Sequence, residues 1–177
     1  MKTLIVYYSF SGNNELLAKK LQSLLNCQIM KISEHKKRTN FSIVLDILLK
    51  RTPKLNPPTL QITDYEYIIF VAPIWAGKIA SPLKAFIKSL DEKIIKYSFI
   101  SLCGSRDNGN VASELTSLTG RKPFKLLEIA ANDLAPAGSN FNQNSLYRAT
   151  EGDLLKVDQF LHSFIDHTEL IADTASA

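Results

Sequence analysis

Apolar residues run along this chain in two alternating rhythms, short continuous runs and stripes with a period of 3.6. Leu4-Ile5-Val6-Tyr7-Tyr8 is a continuous run and predicts a first strand over residues 3–8. Behind it Leu17, Leu21, Leu24 and Leu25 share one helical face, with Glu15, Lys19, Lys20 and Gln22 on the other. Residues 27–32 read as a second strand. Strand, helix and strand in that order form a βαβ unit, which favours parallel pairing through a right-handed crossover. Residues 67–72 are apolar throughout, as a central strand buried on both faces should be. Ser81 as N-cap and Pro82 at the first helical position start a helix with Phe86, Ile87 and Leu90 inward. A fourth strand over 97–102, a helix carrying Val111, Leu115 and Leu118 up to Gly120, and a fifth strand near 124–130 follow. After a polar stretch over 132–144, Thr150-Glu151-Gly152-Asp153 reads as a capping box. It heads a last helix lined by Leu154, Val157, Leu161, Phe164 and Ile165. From Thr168 the tail is expected to fray.

Five strands alternating with helices predict an α/β fold, a doubly wound parallel sheet with helices on both faces, as a single domain over residues 1–177. Residues 33–60 interrupt the alternation. Glu34-His35-Lys36-Lys37-Arg38 reads as a charged, solvated loop. Thr39 or Asn40 then caps a helix in which Ser42, Asp46 and Lys50 form the one polar stripe. A helix so apolar needs cover on more than one side. It lies under the basic loop, against a second subunit as a homodimer through 41–49, or over a ligand pocket. Pro53, Pro57 and Pro58 make an extended link behind it.

Composition narrows the class. Apolar residues make up 45 % of the 177, a globular value. No segment approaches the ~18 apolar residues of a membrane span, and a lone N-terminal lysine before a strand is not a signal peptide. Cys27 and Cys103 make neither a disulfide framework nor a metal site, so the expected location is cytoplasmic. The net charge of +4 is local: residues 31–60 hold seven Lys/Arg against two Asp/Glu, and the rest of the chain sums to −1. Without aromatic interleaving or a known motif, this basic segment is read as binding neither nucleic acid nor membrane.

The candidate chemistry lies in three Gly-containing polar loops at the carboxyl ends of strands, where doubly wound folds bind ligands. The first is Ser9-Phe10-Ser11-Gly12-Asn13-Asn14. Its helix N-terminus, its Gly and its hydroxyl and amide donors suit a phosphate; the alternative is a turn in which Ser11 or Asn13 only caps the helix. Neither G-x-x-x-x-G-K-[ST] nor G-x-G-x-x-G is present, so a triphosphate or dinucleotide at this turn is not expected. The second loop is Pro73-Ile74-Trp75-Ala76-Gly77-Lys78 and the third runs from Cys103 to Asn110. His35 lies in the charged loop over 34–38, His162 on the last helix and His167 in the terminal turn; all three read as bystanders, and no catalytic acid or base is assigned. Cys103 has no His or Lys near it in sequence and reads as inert.

With these loops the chain resembles the flavodoxin-like flavoprotein family over most of residues 2–166. The family phosphate loop, [ST]-x-[ST]-G-x-[ST], matches residues 9–14 except that Asn14 replaces Ser or Thr. The resemblance implies a 2-1-3-4-5 strand order and bound FMN. Ser9, Phe10, Ser11, Gly12, Asn13 and Asn14 would hold the phosphate without Arg or Lys. Trp75 would stack on the flavin (or else fill the core), with Pro73, Ile74, Ala76, Gly77 and Lys78 forming the loop at the ring's N5 edge. Cys103, Gly104, Ser105, Arg106, Asn108 and Gly109 would bound its pyrimidine side. The third loop lacks the aromatic that many electron-carrier flavodoxins place on the second flavin face, and those carriers are typically acidic there. The resemblance therefore implies an oxidoreductase passing hydride or electrons to a small acceptor. An electron carrier serving redox proteins, or a flavin-less interaction protein, are the alternatives. Lys78 would favour the reduced flavin and raise its potential.

Overall fold

A computed structural model of the chain describes residues 1–36, 38–49, 51–90, 96–104, 110–134 and 148–166. The continuous apolar runs form parallel strands: β1 (Thr3–Tyr7), β2 (Gln28–Lys31), β3 (Tyr67–Val71), β6 (Tyr97–Cys103) and β7 (Leu126–Ala130). Their order is β2-β1-β3-β6-β7, and β4 (Ile74–Trp75) with β5 (Lys78–Ile79) makes a separate antiparallel hairpin. With the hairpin set aside, the sheet order is 2-1-3-4-5. The register is continuous across β1, where Ile5 pairs with Ile29 on one side and Ile69 on the other.

Alternation along β1 splits the core in two. Leu4, Val6 and Tyr8 face a cluster with Leu83, Phe86, Val111 and Leu115, from α3 (Ser81–Lys88) and α4 (Asn110–Thr119). Ile5 and Tyr7 face Leu17, Leu21, Val157 and Leu161, from α1 (Asn13–Leu25) and α6 (Glu151–Asp166). This is the two-sided burial that a parallel sheet requires. A short α5 (Ala131–Leu134) extends β7 and places Leu134 in the second core, where the sequence reads only polar chain. At α6, Asp153 Oδ2 accepts bonds from the Thr150 N–H and hydroxyl, each at 2.8 Å, while the Asp153 N–H donates to the Thr150 carbonyl at 3.1 Å, so the acid's half of the capping box forms. The tail from Thr168 lies outside the described residues. No helix among those described is long and apolar enough to cross a membrane.

One sequence expectation is overturned. Ser81 is not the N-cap of α3; Ala80 holds that position, and the Ser81 hydroxyl donates instead to Asp46 Oδ2 at 2.9 Å. Asp46 belongs to α2 (Asn40–Leu49) and points inward to that bond. On the same helix Phe41 is 72 % exposed and Leu48 71 %. No residue of α2 is fully buried.

Candidate functional site

The carboxyl end of β1 turns directly into the candidate phosphate loop. Gly12 has φ 100°, a left-handed conformation that a side chain resists, and its N–H donates to Ser9 Oγ at 3.1 Å. Gly12 is also the N-cap of α1, and no side chain caps that helix. The alternative of a turn closed by Ser11 or Asn13 is thus not what forms. The Gly12 carbonyl accepts from the Leu16 N–H at 3.0 Å, and the N-terminal turn of α1 opens toward solvent beside Ser11.

The two asparagines do different work from that expected. Asn14 is only 2 % exposed. Its amide donates to the Leu102 carbonyl and its Oδ1 accepts from the Leu102 N–H, both at 2.9 Å, tying α1 to β6. That side chain is turned away from any ligand at the loop, leaving its backbone N–H in the first turn. Asn13 Oδ1 accepts the Ala149 N–H at 3.0 Å, which brings the segment ahead of α6 to the rim of the loop.

At the end of β3, the second loop is the β4–β5 hairpin. Ala76 at φ 48° and Gly77 at φ 71° make its two-residue turn, with Trp75 paired to Lys78 and Ile74 to Ile79. Positive φ at both turn residues gives the twist that tight hairpins prefer. Glu114 on α4 anchors it, accepting the Ile79 N–H at 2.8 Å while also ion-pairing with Lys84. The Pro73 carbonyl accepts the Ala80 N–H at 3.1 Å and closes the base. Lys78 is exposed.

Trp75 is half-buried at the meeting of these parts. Tyr8 and Phe10 meet it edge to face, with centroids 6.0 and 6.3 Å away. It packs against the first core as well, as the core-filling reading expects. Arg38 lies 5.4 Å over its ring. This arginine is the residue that the sequence reading misplaced, because a run of charges reads as solvated. Its side chain is 5 % exposed; it bonds Glu34 through two nitrogens and Asp46 at 2.6 Å. Tyr8 adds its hydroxyl to Glu34 at 2.9 Å. Burial opposes the Arg38 charge, but the two carboxylates outweigh it and push its pKa further up. Burial and the Glu34 charge likewise push the Tyr8 hydroxyl above its ordinary range, keeping it a neutral donor.

Of the third loop, Cys103 is buried with its thiol 3.6 Å from the Ile129 carbonyl, and Gly104 is exposed. Ser105, Arg106, Asn108 and Gly109 lie outside the described residues. The three loops therefore rise from β1, β3 and β6, adjacent strands of the sheet. Two cavities open beside them. One of about 600 Å³ is lined by Ser9, Phe10, Ser11 and Arg38, and one of about 350 Å³ by Trp75, Lys78, Asp46 and Glu114. Both volumes are within the range of small-ligand sites.

No family model matches the chain, and no curated protein matches its sequence. Solved structures do match. A protein of Bacteroides eggerthii described as a candidate flavoprotein is 16 % identical with a TM-score of 0.68, covering 93 % of this chain and 96 % of its own. The Lactobacillus acidophilus flavoprotein, solved in complex with FMN, is 18 % identical with a TM-score of 0.64, over 72 % of this chain and 92 % of its own. An oxidised flavodoxin of Bacillus cereus is 17 % identical with a TM-score of 0.50, over 96 % of this chain and all of its own. The fold is flavodoxin-like. In such a fold the winding reverses between β1 and β3, and here the first loop and the Trp75 hairpin stand on either side of that reversal.

Proposed function

We propose that the protein binds FMN at the carboxyl ends of β1, β3 and β6 and passes hydride or electrons through it to a small acceptor. The observation that carries this reading is Gly12: a left-handed N-cap with no side-chain cap, beside Ser9 and Ser11, at the strand pair where the sheet reverses. The donor set fits a phosphate monoester, because hydroxyls and first-turn N–H groups suit an anion at a helix N-terminus. Half-buried Trp75 on a rigid hairpin fits a planar ring. Ser9, Ser11 and the first turn of α1 would hold the phosphate, and Trp75 and the Ala76-Gly77 turn would bound the ring. When bound, the flavin supplies the redox centre. The chain's residues orient it, and Lys78, paired across the hairpin from Trp75, places a positive charge near it.

A second reading, an electron carrier for redox proteins, is favoured by one observation. The outward apolar face of α2 offers a surface for a protein partner. Absorbance spectra of the purified protein, before and after FMN is added and desalted away, test the cofactor. Retained flavin bands support it; their absence, with no binding in a fluorescence titration, removes it. Bleaching of the bands by NADPH, followed by quinone reduction without an added reductase, supports the oxidoreductase. Bleaching only through a reductase protein supports the carrier.

A further inference from the structure

We propose that Arg148 binds the phosphate of the flavin mononucleotide, adding a cation to a loop whose own sequence has none. The inference rests on the FMN reading. Arg148 is distant in sequence from the loop, yet it lines the same cavity of about 600 Å³ as Ser9 and Ser11. Its placement is not left to a flexible chain. The next residue, Ala149, donates its N–H to Asn13 Oδ1 at 3.0 Å, which ties the backbone beside Arg148 to the first turn of α1.

The charges around this cavity single it out. Lys31, Glu34, Lys36, Arg38 and Arg148 line it. Lys31 is paired with Glu15 at 2.9 Å, and Arg38 with Glu34 and Asp46. Among the described residues neither Lys36 nor Arg148 pairs with a carboxylate. Two uncompensated positive charges beside a hydroxyl-lined loop match the dianion of a phosphate ester. Of the two, Arg148 carries a planar fork that can meet two phosphate oxygens at once, and it is the one anchored to the loop. The need for it is visible too. Asn14, at the motif position where Ser or Thr is usual, spends its side chain on Leu102 and gives the phosphate no side-chain donor. Arg148 makes up for that donor.

Riboflavin, the same ring and ribityl chain without the phosphate, separates this inference from the reading beneath it. Binding of FMN and of riboflavin is titrated for the wild type, Arg148→Gln, Arg148→Lys and Lys36→Gln. The expected result is a loss of about tenfold or more in FMN affinity for Arg148→Gln, as for a lost charge-assisted hydrogen bond, with riboflavin affinity unchanged. Arg148→Lys recovers part of the loss. Arg148 is exposed, so the variant is expected to fold, which circular dichroism checks. Equal losses for both flavins, no loss for either, or a selective loss in Lys36→Gln alone overturns the assignment. A wild type that binds neither flavin overturns the FMN reading and this inference with it; one that binds riboflavin as tightly as FMN overturns this inference alone.

Discussion

The guanidinium carbon of Arg38 lies 5.4 Å from the centre of the Trp75 ring, and the same guanidinium holds Glu34 and Asp46. One buried charge thereby joins four pieces of chain: the end of β1 through Tyr8, the loop after β2, helix α2 and the hairpin. Asp46 carries the connection on to Ser81 at the start of α3. Removing the cation would leave two nearly buried carboxylates with only hydroxyl donors, from Tyr8 and Ser81, and no counter-charge. Arg38→Met is expected to destabilise the protein by about 3–5 kcal/mol in urea unfolding. Asp46→Asn, which keeps an acceptor for Ser81, should cost less. A loss under about 1 kcal/mol for Arg38→Met would mean that the network is a solvated surface pair after all.

Asn14 offers the second prediction. Its amide satisfies both the N–H and the carbonyl of Leu102 inside the core. Asn14→Ala leaves both unpaired and is expected to cost about 2–4 kcal/mol of stability. Because its side chain faces away from the loop, the preference for FMN over riboflavin should be unchanged. A tenfold fall in that preference would place the side chain on the phosphate instead.

Alkaline pH should weaken the fold. Burial is the leading cause raising the hydroxyl pKa values of Tyr7, Tyr8, Tyr67 and Tyr97 above the ordinary 10.0. The unfolded chain releases these protons near pH 10 while the folded chain keeps them, so stability is present below pH 10 and falls as pH rises beyond it. Urea midpoints at about pH 8 and about pH 10.5 should show the decline. Equal midpoints, with tyrosinate absorbance at the higher pH the same in folded and unfolded protein, would contradict it.

Helix α2 gives a prediction about assembly. Phe41, Val44, Leu48 and Leu49 are each more than half exposed among the described residues. We expect a second copy to cover them, giving by light scattering at micromolar concentration about twice the 19.8 kDa chain mass. Leu48→Asp should return it to a monomer. A wild-type monomer would leave that face to a different partner.

How much of this was legible in the sequence depended on what set each feature. The strands and helices of the sheet follow from burial, and burial leaves a periodic trace that Leu4 to Tyr8 and Leu17 to Leu25 display. The loop at Gly12 was legible because its conformation demands a particular residue type. Arg38 was not: four neighbouring charges look solvated, and only the fold brings Asp46 close enough to bury one of them. The same Asp46 fixes how α2 sits, holding Ser81 on one side while Phe41 and Leu48 stay exposed. Ser81 was misread because a hydroxyl before proline signals a cap, whereas a tertiary acceptor, Asp46, competes for it. The Trp75 hairpin was hidden by Ala76, which gives no local sign of a left-handed turn.

Trp75 is the only tryptophan in the chain, so its emission reports on the centre of the account without interference. Titrating the apoprotein with FMN, corrected for absorption by the flavin, should quench that emission to a plateau at one equivalent, with Arg38 and the hairpin undisturbed. An unchanged Trp75 emission together with no flavin retained on desalting would contradict the claim that these loops form a flavin site.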